Sequence, residues 1–176
     1  NPPRALPPDL FDVLDAITRL TGETFQYDGG YCANRLGLST QVPLYHVLHT
    51  NGRSRRFKLA GVDVVLNHTD DQRLLQYPLQ KVGMAISALY YLGPNVVDDK
   101  IIKAIKDQLS PEEYAKLLSA DLPKWIKRLM SDYENWAATT LLDKYGLFFG
   151  LPPALGSTSP ASGFNAKNVL NSSYFS

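Results

Sequence analysis

The sequence predicts an α+β domain in which a small, mainly antiparallel sheet packs against several helices. Three observations support this class. Apolar and polar residues alternate between residues 44 and 68, as in strands with one buried face. Apolar residues at helical spacing precede this region at 9–20 and follow it from 78 onward. With 176 residues, 44% of them hydrophobic, the chain can bury a core of its own.

The first part of the chain predicts a connector, two helices and a short strand. Four prolines in residues 1–8 favour an extended connector. A helix follows over 9–20, where the apolar residues have helical spacing. Residues 24–27 are β-prone, Gly29-Gly30 interrupts them, and residues 31–36 predict a short second helix.

The central part predicts a three-stranded antiparallel meander over residues 44–68. Asn51-Gly52 is a strong two-residue hairpin signal, so we expect residues 44–50 to pair with 55–59. Ala60-Gly61 predicts the next turn, into a strand over 62–68. Alternation assigns one buried face to Phe57, Leu59, Val62, Val64 and Leu66, and it leaves Arg56 and Lys58 on the solvent face.

The remaining chain predicts helices and then a tail. Ser110 starts a helix with a proline at the first helical position and a capping-box glutamate at Glu113. Asp121 is a candidate cap for a longer helix that extends toward Tyr145. Residues 146–176 are rich in Gly, Pro, Ser and Asn and predict a tail. If the tail is ordered, we expect its anchors to be the large apolar side chains of Phe148, Phe149, Tyr174 and Phe175.

Composition excludes several classes of protein. A protein whose main task is to hold a nucleic-acid duplex usually has a larger basic surplus than the net charge of +1 found here. The single cysteine excludes an internal disulfide framework and a zinc site made of several thiolates. No apolar run is long enough for a membrane span and no secretory signal is visible, so we expect a cytoplasmic protein without a membrane partner. Phosphate-binding glycine motifs are missing, and no cofactor or metal is expected.

Candidate catalytic groups are few. His46 and His49 lie three residues apart on a predicted strand and therefore face opposite sides. Cys32 lacks a nucleophile signature and is expected to be a packing residue. His68 stands near Asp70 and Asp71, a group that could orient an imidazole, although a polar loop at a strand end is the more ordinary interpretation.

A basic segment is the more interesting feature. It consists of Arg53, Arg55, Arg56 and Lys58. One interpretation is a surface that seeks anions, either nucleic-acid phosphates or an acidic protein partner. The other is a sheet edge protected by charge. The sequence leaves both open.

Several motifs resemble the AbiEi-like antitoxins of bacterial type IV toxin–antitoxin (abortive infection) systems. The resemblance spans roughly residues 5 to 133. It is carried by Gly37-Leu38-Ser39-Thr40-Gln41-Val42-Pro43, Thr50-Asn51-Gly52-Arg53-Ser54-Arg55, Val64-Val65-Leu66-Asn67-His68, Leu89-Tyr90-Tyr91-Leu92-Gly93-Pro94, the Leu109-Ser110 capping box and Pro123-Lys124-Trp125.

The resemblance implies an antitoxin domain over residues 9–145 that is not an enzyme. Its partner would be a nucleotidyltransferase-like toxin of the same operon. Family members also repress their own operon through an N-terminal winged helix-turn-helix, so DNA is expected as a partner only if the full-length protein carries that module. We expect the contacts to use the basic segment and the region of Asn34, Arg35, Ser39 and Thr40. The alternatives are a small hydrolase that uses His68 with Asp70 and Asp71, or a non-specific nucleic-acid-binding module.

Overall fold

The structure, a computed structural model, describes residues 9–42 and 44–145. These residues form α1 (Leu10–Thr21), β1 (Phe25–Tyr27), α2 (Gly29–Arg35), β2 (His46–Thr50), β3 (Arg55–Leu59), β4 (Val62–His68), α3 (Lys81–Leu92), α4 (Asp99–Gln108), α5 (Pro111–Ser119) and α6 (Lys124–Lys144). The chain divides into two compact units, Asn1–Leu129 and Met130–Ser176. The predicted connector 1–8 and tail 146–176, including the aromatic anchors Phe148, Phe149, Tyr174 and Phe175, lie outside the described residues.

The four strands form one mixed sheet in the order β1-β2-β4-β3. β1 pairs antiparallel with β2, and β3 pairs antiparallel with β4. The central pair, β2 with β4, is parallel, with His46 opposite Val64 and Thr50 opposite His68. The sheet and its helices confirm the predicted α+β class, and two of the three strand pairings are antiparallel as expected.

The predicted pairing of 44–50 with 55–59 across Asn51-Gly52 is wrong, because β4 lies between β2 and β3. The meander is therefore limited to the β3–β4 hairpin. Gly52 has no left-handed φ, whereas Ala60 and Gly61 have φ of 48° and 87°, as a primed hairpin turn requires. Asn51 has a different role, since its Oδ1 accepts the backbone N–H of Thr24 at 2.8 Å. Residues 51–54 thus cross the end of β4 instead of folding back beside β2.

One core cluster lies between α1 and one face of the sheet. Its buried members are Leu10, Leu14, Phe25, Leu48, Val64 and Leu66, and Phe57 and Leu59 pack against them partly buried. The predicted buried face of β3 and β4 is confirmed except at its end. Val62 is 42% exposed, because it is the first residue of β4 and lies beside the turn.

Helix boundaries follow local capping signals in most places. The capping box at Ser110 is formed in both directions, as predicted. α2 begins at Gly29 and not at Tyr31, because the Asp28 side chain accepts the N–H of Tyr31 and caps the helix earlier. α6 begins at Lys124, so Asp121 does not occupy the predicted cap position. α2 packs against α3, and α3 contacts β1 and α5.

The second unit is described through residue 145 and carries the later part of α6. Within it the rings of Tyr133 and Trp136 lie 6.2 Å apart. Across the described residues of both units, no helix has the length and apolar character that crossing a bilayer requires.

Candidate functional site

One candidate site lies at the end of the sheet where β2 and β4 finish. The loop 51–54 passes over the end of β4 and is bonded to it. The His68 N–H donates to Ser54 Oγ at 2.8 Å, and the Thr69 N–H donates to the Thr50 carbonyl at 2.9 Å. The Gly52 N–H donates to Thr50 Oγ1 at 3.0 Å. We call residues 51–54 with His68 the crossing loop site.

Both ring nitrogens of His68 form hydrogen bonds at this site. Nδ1 lies 2.8 Å from the Gly52 carbonyl oxygen, and Nε2 lies 3.0 Å from Asp70 Oδ1. Both partners are acceptors, so both nitrogens act as donors, which is the arrangement of the protonated imidazolium. The pKa of His68 is accordingly raised, first by the hydrogen bond to the Gly52 carbonyl and then by the one to Asp70. While the ring is protonated, neither nitrogen can accept a proton from a substrate.

The predicted group of His68, Asp70 and Asp71 is only partly assembled. Asp70 contacts the ring, but the Asp71 carboxylate is held by Arg73, whose Nε and Nη2 donate to its two oxygens at 2.9 and 3.1 Å. These hydrogen bonds from Arg73 hold the pKa of Asp71 below its usual value. The Asp71 carboxylate therefore stabilises a local turn and does not contact the imidazole of His68.

The residues of the basic segment have different environments: Arg53 precedes β3, Arg55 lies on one face of β3, and Arg56 and Lys58 lie on the other. The Arg55 guanidinium donates from Nη2 to Glu23 Oε2 at 2.8 Å, on the same face as Phe57 and Leu59. Arg56 and Lys58 lie on the other face and are exposed, as predicted. Arg53 is exposed in the crossing loop. None of these three exposed residues forms an ion pair with another described residue.

The face of Arg56 and Lys58 is an open part of the sheet. β3 is an edge strand, and the register places Arg56 opposite Val65 and Lys58 opposite Asp63. Asp63 is half-buried, so the more exposed charges of this face are the two cations. We call Arg56 and Lys58 the basic row.

The other predicted contact residues lie elsewhere. Asn34 and Arg35 end α2, and Asn34 Nδ2 donates to the Ser39 carbonyl at 3.1 Å. Arg35 and Thr40 are exposed. Because α2 packs on α3, and α3 contacts β1, this region belongs to the sheet edge opposite β3. The structure therefore does not bring Asn34–Thr40 and the basic row together on one strand.

Sequence reasoning missed a group of exposed apolar residues next to β2. Val42, Leu44 and Tyr45 are 75%, 84% and 53% exposed. Leu44 and Tyr45 were expected to belong to the strand, but β2 begins only at His46. Adjacent to them, the Tyr91 hydroxyl donates to Gln41 Oε1 at 3.4 Å. The sequence signal that could have revealed them is their apolar character in the segment just before β2.

Two remaining candidates are packing residues. Cys32 is fully buried, and burial raises the pKa of its thiol, which makes it a poor nucleophile. His49 lies on the opposite side of β2 from His46, as expected, and burial lowers its pKa. Within the described part of the chain, no group of three or more His, Cys, Asp or Glu side chains could hold a metal ion.

Comparison with known proteins gives one match. The model of a family described as "Family of unknown function (DUF6088)" matches residues 4–117. No curated protein and no solved structure matches the chain with significance.

Proposed function

The chain belongs to the DUF6088 family, and we propose that it is a binding domain that neutralises a nucleotidyltransferase-like toxin without catalysis of its own. The observation that carries the proposal is the basic row on β3. Two cations stand on the exposed face of an edge strand, without an ionic partner among the described residues. Nucleotidyltransferases bind metal through acidic residues, so a basic face would approach such a site with favourable electrostatic steering.

The state of His68 favours binding over hydrolysis. A general base needs a ring nitrogen that can accept a proton from substrate or water. In this chain both ring nitrogens face acceptors, and Asp71 is engaged by Arg73. His68 is therefore assigned a structural role that fixes the crossing loop beside β3.

The geometry favours three of the four basic residues as contacts for a partner. Arg55 is 34% exposed and bound to Glu23, so its reversal would disturb the fold as well as the surface. Arg53, Arg56 and Lys58 are the residues available to a partner.

The test is rescue of growth when the chain is co-expressed with the toxin encoded next to its gene. The variant Arg56→Glu/Lys58→Glu should lose rescue while its circular dichroism and melting temperature stay unchanged. The matched control is Lys100→Glu/Lys124→Glu, which makes the same charge change at exposed positions in the first turns of α4 and α6. Acidic residues are well tolerated at such positions. Full rescue by the folded basic-row variant would refute the proposal and leave the basic row as a protected sheet edge.

A further inference from the structure

One edge of the sheet has backbone groups that a partner strand could bind. β3 lies at the end of the strand order β1-β2-β4-β3, so it pairs with β4 on one side only. Along its other side, no strand within the described residues pairs with it. The backbone N–H and C=O groups on that side can accept an added strand, the binding mode known as β-augmentation. We call this side of Arg55–Leu59 the open edge.

The hydrogen bonds near the end of β4 show which of its backbone groups face β3. The His68 N–H donates to Ser54 Oγ, on the side of β3, and the Thr69 N–H donates to the Thr50 carbonyl, on the side of β2. Backbone direction alternates along a strand. The even-numbered residues of β4 therefore direct their backbone groups to β3, and the odd-numbered residues direct theirs to β2.

The register of the hairpin then identifies the groups at the open edge. The even-numbered residues of β4 lie opposite Arg55, Phe57 and Leu59, which form the hydrogen-bonded pairs. Arg56 and Lys58 lie between these residues, so they direct their N–H and C=O groups away from β4. The open edge thus offers two donors and two acceptors at alternate residues, which is the spacing that an extended strand requires.

The side chains of β3 give the open edge two different faces. Phe57 and Leu59 pack partly buried against the core cluster on the α1 side of the sheet. Arg56 and Lys58 are exposed on the other face. An added strand would place alternate side chains beside these two faces, so a matching strand alternates between apolar and acidic residues.

The charge of the basic row is only partly compensated within the sheet. Asp63 lies opposite Lys58, whereas the residue opposite Arg56 is the uncharged Val65. Two exposed cations therefore share one half-buried carboxylate. A carboxylate on an added strand, opposite Arg56 on its free side, would form a favourable cross-strand pair.

The same charges disfavour a second copy of this chain at the open edge. Two copies that joined their edges around a two-fold axis would form one continuous antiparallel sheet, with the same face of both copies on one side. Arg56 and Lys58 of one copy would then lie opposite the same cations of the other copy. Like charges directly opposite each other are destabilising. The favoured occupant therefore differs in sequence from β3.

We propose that the open edge of β3 receives an extended segment of the protein partner as an additional strand. This segment carries apolar residues beside Phe57 and Leu59 and carboxylates beside the basic row. Backbone hydrogen bonds at Arg56 and Lys58 supply affinity, and the alternating side chains supply specificity. The inference rests on the proposed function, because it describes how the same partner is bound.

The first test compares two substitutions at Lys58 and measures the dissociation constant for the purified protein encoded next to this gene, by calorimetry. Lys58→Gln removes the charge but keeps the backbone N–H, whereas Lys58→Pro removes both. An edge strand tolerates proline where its nitrogen faces outward. We expect Lys58→Gln to weaken binding less than about fivefold, as loss of an exposed ion pair does. Lys58→Pro should weaken it roughly 30-fold or more, because an acceptor on the partner strand is left unpaired.

The second test follows amide hydrogen exchange by NMR and needs no variant. In the free chain the amides of Arg56 and Lys58 should exchange quickly, because they face the open edge. The Phe57 amide is the internal control, since it bonds to β4 and should exchange slowly with or without the partner. In the complex, exchange at Arg56 and Lys58 should slow by at least about tenfold.

The other outcomes overturn the inference. Equal affinities of the folded Lys58→Pro and Lys58→Gln variants, or unchanged exchange at the two amides in the complex, would refute strand addition. Either result would keep the proposed function, which the Arg56→Glu/Lys58→Glu variant tests separately. If circular dichroism shows that Lys58→Pro is unfolded, the exchange measurement decides alone. No binding by the wild type would refute both proposals, and a dimer of the chain alone that protects the same two amides would assign the open edge to a second copy.

Discussion

Gly52 offers a direct test of the crossing loop. A hairpin turn between β2 and β3 and a loop that crosses the end of β4 would each require a glycine at this position, but for different reasons. In a primed hairpin turn the residue would need a left-handed φ. In the structure its φ is not left-handed, and a Cβ would overlap the carboxyl group of Glu23. Glu23 in turn accepts a hydrogen bond from Arg55. The substitution Gly52→Ala should therefore act through Glu23.

The magnitude follows from this geometry. Displacing Glu23 loses a partly exposed ion pair, worth about 1 kcal/mol at most after solvent screening. Crowding adds about 1 kcal/mol, the low end for overpacking, since a glutamate side chain can move. Removing a glycine stabilises by about 0.4–1 kcal/mol, because the unfolded chain loses freedom. We expect Gly52→Ala to lower the free energy of unfolding by about 1 kcal/mol. In a Glu23→Ala background both costs vanish, and the same substitution should raise it by about 0.4–1 kcal/mol.

The assay is a double-mutant cycle by urea denaturation, with wild type, both single variants and the double variant. Gly61→Ala is the matched control, since Gly61 has a φ of 87° and nothing within 4 Å of the position of a Cβ. It should cost about 1 kcal/mol in both backgrounds, because its penalty is backbone strain. If Gly52→Ala destabilises equally with and without Glu23, then Gly52 has a left-handed conformation and the crossing connection is wrong.

Three further predictions concern His68 and the exposed cations. The raised pKa of His68 means that its two hydrogen bonds stabilise the fold fully below the unfolded pKa and are lost as the pH rises through the folded one. The stability difference between wild type and His68→Asn should thus be largest below about pH 6 and decline above it, as followed by thermal denaturation with the ring titration read by NMR. In the toxin co-expression assay, His68→Asn should retain rescue at a temperature where the variant is folded, and loss of rescue would favour the hydrolase. Direct binding to duplex DNA should be weak, with a salt slope no steeper than about −2.7, the value for three phosphate contacts. A steeper slope in a fluorescence titration would mean that cations beyond Arg53, Arg56 and Lys58 contact the phosphates.

Much of the fold could be predicted because its signals are local. The start of α5 at Ser110 depends on residues within one turn of helix, and the β3–β4 hairpin depends on two residues between adjacent strands. The alternation that placed Arg56 and Lys58 on the exposed face is equally local. These predictions needed no knowledge of distant parts of the chain.

The connection from β2 to β3 could not be predicted because its determinants are distant in sequence. Asn51-Gly52 has the composition of a hairpin turn, yet its contacts are to Glu23 and Thr24 before β1. A turn signal indicates that the chain can reverse direction. It does not indicate whether a third strand will lie between the two strands that the turn connects. Here β4 enters that space, because Val64 and Leu66 there join Leu48 in the core. The loop of four residues can span two strand spacings of about 4.8 Å each.

The same long-range ordering decides what the candidate surfaces can do. Since β4 pairs with β2 in parallel, the end of β4 lies under the crossing loop, where His68 binds it. The start of β4 lies at the other end of this strand pair, where Val62 is the first residue of the strand and is exposed. In an antiparallel meander with β3 in the centre, β4 would be separated from β2, and His68 would not lie opposite Thr50. The parallel register is therefore what places His68 beside the loop 51–54 and leaves the basic row on the strand at the free side of β4. The Gly52 cycle tests the first consequence, and the Arg56→Glu/Lys58→Glu variant tests the second.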